Sequence, residues 1–166
     1  MKLTLTLFCS LLLFATLVAG TPNVSIHADV KSENKTVDKK SADEIHSRWL
    51  VVRITNLSSE KLEGLELKWT LYADDLKRGT DGIVVEKSGA EQFSLEASGR
   101  YTDVKTPEVS FKWAPQHSVR TGSGRSARYK MVPEAGHRYH GYALQVIKDG
   151  VVLGEVISGK SMRISE

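Results

Sequence analysis

The sequence predicts an all-β fold, an antiparallel sandwich of seven to nine short strands in one domain. Three observations carry this expectation. Apolar and polar residues alternate with period two along several segments, as in strands with one face on a core. Turn-forming clusters recur about every 8–12 residues, the spacing of sandwiches and barrels, and no stretch shows a helical period. The 166 residues are 40 % hydrophobic and 26 % charged, an ordinary globular balance for one domain. That balance excludes wholesale disorder, collagen, coiled coil and a many-span membrane protein.

The first segment reads as an address. Met1-Lys2 is a short positive start, Leu3 to Val18 is largely apolar, and Val18-Ala19-Gly20 places small residues where a signal peptidase cuts. Residues 1–20 are therefore expected to be a secretory signal peptide cleaved after Gly20. An uncleaved anchor is disfavoured because the apolar run is short for a span. Cys9 follows Phe8 and precedes Leu11-Leu12-Leu13, so it does not sit where a lipid-modified cysteine would. It is the sole cysteine, so the mature chain has no disulfide, cysteine nucleophile or thiolate metal site, and its own core must hold it. The compact Met-Lys-Leu start looks bacterial. The sequons at Asn23, Asn34 and Asn56 would accept glycans only in a eukaryotic secretory pathway.

Residues 21–47 are expected to hold a first strand and a polar loop or arm, and residues 48–166 the main body. Val24, Ile26, Ala28 and Val30 alternate with polar residues, whereas Lys31 to Ser47 has no hydrophobic pattern and reads as a loop or mobile arm. Trp49-Leu50-Val51-Val52 is apolar on both faces, like a central strand. The clearest strand follows turn material at 56–64. Leu65, Leu67, Trp69, Leu71 and Ala73 face a core, and Glu66, Lys68, Thr70 and Tyr72 face water.

Ile83-Val84-Val85, Gln92 to Leu95, Arg100 to Lys105 and Val109 to Trp113 are further short strands, with Ala97-Ser98-Gly99 as a turn. Ala114 to Pro133, rich in Gly, Ser and Arg, reads as a long loop. Tyr139 to Lys148 and Val151 to Ile157 flank Asp149-Gly150, a strong hairpin signal. A regular two-residue loop sets Glu155 opposite Leu144, and the register of this hairpin stays open. No repeat, low-complexity tract or linker divides the chain.

Inward Trp69 on an early strand and Tyr142-Ala143-Leu144 on a late one resemble the buried tryptophan and tyrosine corner of immunoglobulin-like sandwiches. Leu144 stands where antibody domains have a cysteine. Asn56-Leu57-Ser58 is similar to the strand-end turns of small bacterial exported immunoglobulin-like and fibronectin-type-III-like domains. The resemblance covers about residues 22–158. It lacks the cysteine pair of the antibody family. It implies a binding or scaffolding role and no catalytic residues, and a core including Trp69, Leu67, Leu71, Tyr142 and Leu144.

Charge is uneven. Glu60 to Glu108 holds 11 acids and 7 bases, while His117 to His140 holds five bases against Glu134. Arg120, Arg125, Arg128, Lys130 and Arg138 are thus candidates to wrap a polyanion. The competing expectation is that this loop balances the acidic stretch, with Arg120, Arg125 and Arg128 paired to its carboxylates. Gly122-Ser123-Gly124 lacks the Gly-Lys-Ser/Thr end of a phosphate loop.

His137 and His140 have an odd spacing that puts them on opposite sides of a strand, which argues against a shared metal. Asp74, Asp75 and Asp81 are a weak cation cluster without calcium-loop spacing, with Lys77 and Arg78 between them. Trp49, Trp113, Tyr72, Tyr101, Tyr129 and Tyr139 could form an aromatic platform for sugar, although Trp49 and Trp113 lie in apolar runs that favour the core. Neither Gly-x-Ser-x-Gly nor His-Glu-x-x-His occurs.

The sequence therefore points to an exported, non-enzymatic binding or envelope-structural module. Its partner would be a protein or glycan in the envelope or outside the cell. No cofactor, nucleic acid or stable membrane span is expected. A carbohydrate- or polyanion-binding module using residues 117–140 is the alternative. The third option is a β-sandwich enzyme, for which no catalytic constellation is visible.

Overall fold

A computed structural model describes residues 24–36, 44–76, 82–124 and 127–158. The expected signal segment lies outside these residues, as do Arg125, Asp81 and Asn23. Ten strands are present: β1 Val24–Thr36, β2 Glu44–Asn56, β3 Leu62–Asp75, β4 Gly82–Leu95, β5 Tyr101–Lys105, β6 Val109–Ala114, β7 His117–Thr121, β8 Arg128–Val132, β9 Ala135–Lys148 and β10 Val151–Ile157. All pairings are antiparallel. The all-β class is as expected, but five strands run 13 or 14 residues and are not short.

One layer has the order β10-β9-β3-β4. In the other, β2 pairs with β1 on one edge and with β5 and then β6 on the other. β5 and β6 behave as one strand interrupted at Thr106-Pro107. Thr106 N–H donates to the Leu50 carbonyl at 3.0 Å, and the Thr106 hydroxyl accepts from Leu50 N–H at 2.9 Å, so the break leaves Leu50 paired.

The core lies between the layers because the inward period of each strand is apolar. Leu50, Val52 and Ile54 of β2 and Phe111 of β6 are fully buried. Across from them, Leu67, Trp69 and Leu71 of β3 stand opposite Val146, Leu144 and Tyr142 of β9 in register, and all six are buried. Each fully buried aliphatic or aromatic side chain contributes about 1.5–3 kcal/mol relative to exposure. The expected core set is thus placed as the alternation requires. Trp69 packs directly against Gly89 of β4: a Cβ there would lie 2.5 Å from the indole.

Asn56 is buried and ties two turns together. Its amide donates to the carbonyls of Glu60 and Glu96 at 2.7 and 3.0 Å, and its oxygen accepts from the backbone and hydroxyl of Ser58. That sequon asparagine has no access for a glycan in the folded state.

Four expectations need correction. The polar segment 31–47 is not a loop throughout. β1 and β2 pair from Val24↔Asn56 out to Thr36↔Glu44, and solvent on both faces of β1 from Val30 to Asn34 lets polar residues hold a ladder made by the backbone. Residues 82–95 form one strand in place of two. The 114–133 loop contains the β7–β8 hairpin. In the last hairpin, a bulge between Val152 and Gly154 shifts the register. Glu155 then faces Gln145, with a 3.2 Å side-chain hydrogen bond, and Val156 takes the place opposite Leu144. The bulge keeps a carboxylate off a core position.

A candidate binding site where the sheets join

The two layers are joined at one end. Ala135 and Gly136 open β9 by pairing with Ala114 and Trp113 of β6, after which β9 runs along β3. Gly136 has φ +103°, and a Cβ there would sit 2.4 Å from the Lys112 carbonyl oxygen, so only glycine permits this approach. The Gly136 carbonyl also accepts from Leu76 N–H at 2.9 Å, which pins the end of β3.

At this end the inward stripes turn polar. The run Ile54, Val52, Leu50 on β2 continues to Arg48 and His46. Leu71 and Ala73 on β3 continue to Asp75. A bulge in β9 at His140 falls between the pairs Tyr72↔Gly141 and Ala73↔Tyr139, and Tyr139 packs against the core cluster. His46, Arg48, Phe111, Trp113, Arg138 and Tyr139 enclose a cavity of about 210 Å³.

Its walls are aromatic. Phe111 and Tyr139 meet edge to face at 5.5 Å, and Trp113 lies 6.3 Å from the His46 ring. The Arg48 guanidinium stands 6.0 Å from the Tyr139 ring centroid and that of Arg138 stands 5.8 Å from Trp113, within cation–π range. Burial pushes the Tyr139 phenol above its ordinary value, against a smaller downward pull from its hydrogen bond with Ser158 and a still smaller one from the Arg48 charge.

The two arginines differ in charge balance. Arg138 lies 3.5 Å from Asp74 and 3.4 Å from Glu134. Half-buried Arg48 has no carboxylate within ion-pair distance among the described residues; it donates only to the Ser47 carbonyl, at 3.4 Å. The histidines of this end each hold a different carboxylate: His46 with Glu44 at 2.7 Å, His137 with Glu86 at 2.6 Å, and His140 with Asp74 at 2.7 Å. A second cleft of about 240 Å³ lies beyond Arg138, bounded by Asp74, Leu76, Gly82, Ile83 and Glu134.

The expected candidates are therefore divided. Arg120, Arg128 and Lys130 stand exposed on the β7–β8 hairpin, with no carboxylate partner among the described residues. The expected pairing of Arg120 and Arg128 with the acidic stretch does not occur among the described residues. Among the described candidates Arg138 makes such a pair, through Asp74, and it belongs to the cavity. Asp74 is engaged by His140 and Arg138, and His137 lies 3.9 Å from Asp75. Among the described residues no group of three or more His, Asp or Glu side chains is arranged to hold a metal ion.

The aromatic platform also separates. Trp49 occupies an odd, outward position on β2, where Lys105 covers it at 5.3 Å, and Trp113 ends an inward stripe at the open end. Both are partly exposed, which corrects their assignment to the core. Tyr72 is buried on the outer face with Ala143, and Tyr101 lies under Arg53 at 4.2 Å. Trp113 and Tyr139 alone come together. Arg48 and His46 were missed, yet extending the β2 period backward from Leu50 reaches both.

No family model matches this chain, and no curated protein does. One solved structure, titled "X-ray structure of Northeast Structural Genomics Consortium target SoR45", matches over 72 % of this chain and 86 % of its own at 11 % identity and a TM-score of 0.33.

Proposed function

We propose that this chain is an exported, non-enzymatic binding module of the immunoglobulin-like sandwich type, and that the cavity at the sheet joint takes an acidic sugar unit. The sandwich-type reading is supported by the layering of a three-strand position set against four strands, and by Trp69 standing opposite Leu144 in register. The observation that carries the ligand is Arg48. A half-buried guanidinium without a carboxylate partner among the described residues, walled by Tyr139 and Phe111, offers a fork of donors to a planar anion. Trp113 and Tyr139 supply faces on which a pyranose ring can stack. A non-enzymatic reading is favoured because, among the described residues, none of His46, His137 and His140 has a hydroxyl nucleophile as its hydrogen-bond partner.

The test is calorimetry with an oligouronate and with a neutral oligosaccharide of the same linkage. Binding should require the carboxylate, and Arg48→Gln should weaken it by about 10–100-fold, the value of a charge-assisted hydrogen bond. Equal affinity for the neutral sugar, or an unchanged Arg48→Gln, refutes the assignment. N-terminal sequencing of the mature protein should begin at or near Thr21; a stable cytoplasmic product retaining Met1 refutes export.

A further inference from the structure

The β7–β8 hairpin stands apart from the cavity. It pairs only with itself, and Ser118 to Thr121 and Arg128 to Met131 are all exposed, so both of its faces meet solvent. An isolated two-stranded ribbon is marginal in water, so burial in the core does not account for it. Its composition is specific. From Val109 to Pro133 there is no acidic residue, while Arg120, Arg128 and Lys130 project from the hairpin strands without a carboxylate partner among the described residues.

Large apolar side chains share the same ribbon: Tyr129 is 74 % exposed, Met131 56 % and Val119 40 %. In register, Arg120 faces Tyr129 on the side that also carries Met131, and Lys130 faces Val119 on the other side with Arg128, so the larger apolar pair shares its face with Arg120. A sulfated or phosphorylated polymer would use the cations and leave Tyr129 and Met131 in water. A lipid surface uses both sets: cations meet headgroup phosphates, and aromatic and aliphatic side chains enter the acyl boundary.

We propose that the β7–β8 hairpin docks the protein peripherally on an anionic phospholipid surface. The face that carries Arg120, Tyr129 and Met131 lies on the bilayer: Arg120 binds the headgroups, Tyr129 and Met131 insert beneath them, and Arg128 and Lys130, on the opposite face of the thin ribbon, add attraction within a Debye length of the surface. The hairpin is separate from the cavity, so this proposal is independent of the sugar assignment.

The experiment is co-sedimentation of the purified protein with vesicles of equimolar phosphatidylglycerol and phosphatidylcholine, and with phosphatidylcholine alone. The wild type should sediment with the anionic vesicles only, and less so at high salt. The triple variant R120Q/R128Q/K130Q should bind about a hundredfold more weakly, given the usual value of each basic residue at such a surface. Y129S/M131S should also bind at least tenfold more weakly, and W113A should bind like the wild type. Circular dichroism should show both multiple hairpin variants folded, since the altered side chains are exposed. Tryptophan fluorescence of Y129W should be quenched by brominated acyl chains. Absence of wild-type binding overturns the proposal. So does a Y129S/M131S variant that binds undiminished, which would leave a polyanion site read by charge alone. Loss of oligouronate binding in W113A with vesicle binding intact separates failure of the cavity reading from failure of this one.

Discussion

Replacing Gly89 with alanine adds one methyl group, and the effect turns on Trp69. Gly89 has ordinary extended backbone, where alanine is favoured over glycine by about 0.5–1 kcal/mol. The added carbon, however, would lie 2.5 and 2.8 Å from two carbons of the indole. Contacts that short force a shift, and the ring has little room to give: Trp69 is 2 % exposed, with Leu144 across on β9. Overpacking of this kind costs about 1–3 kcal/mol. For a chain of this size that lowers the thermal midpoint by about 3–10 °C. Trp69→Leu removes the obstruction at the cost of a smaller core side chain. In that background Gly89→Ala should be neutral or stabilising by up to about 1 kcal/mol. Urea unfolding followed by far-UV circular dichroism on the four proteins of the cycle measures the coupling. Gly89→Ala that stabilises both backgrounds equally refutes the packing argument.

Asn56→Ala should cost about 2–4 kcal/mol in urea unfolding, because it leaves the Glu60 and Glu96 carbonyls and the Ser58 donors without their partner; a loss under about 0.5 kcal/mol contradicts it. Asp103→Asn tests a pH effect. Hydrogen bonding to Arg53 holds the Asp103 carboxyl below its ordinary value, so the stabilisation is present above that ordinary value and disappears as pH falls through the depressed one. Thermal midpoints of wild type and Asp103→Asn should differ slightly at neutral pH, since the pair is exposed, and converge in strong acid; a gap that widens in acid contradicts the assignment.

Much of the fold was legible where one face of a strand is dry. Leu65 to Ala73 shows its period because every second residue meets the core, and Asp149-Gly150 shows its turn because both residues take positive φ, 49° and 80°. Lys31 to Asn34 gave no such signal, since these edge-strand residues are exposed and are held by backbone bonds to β2 that leave their side chains unconstrained. The β7–β8 hairpin was hidden for the same reason, although Tyr129 and Met131 alternate with Arg128 and Lys130. The cavity was partly legible in its aromatic residues. Arg48 and His46 were not singled out, because polar residues at inward positions look like the end of a strand until the other walls are seen. The His140 bulge cannot be read from period two at all, since it changes the period.

The strand that joins the two sheets also sets an order of events. β9 pairs with β3 across roughly 60–80 residues of intervening chain and touches β6 besides. Leu144 and Val146, the inward partners of Trp69 and Leu67, come late in the sequence, so β3 and β4 can form a local hairpin but cannot close their apolar face until nearly the whole chain is available. Such non-local closure folds slowly. A chain emerging N-terminus first, from a ribosome or through a membrane pore, would keep the sandwich open until its last fifth arrives, and until then the face of β3 that carries Trp69 stays exposed to whatever chaperone attends it.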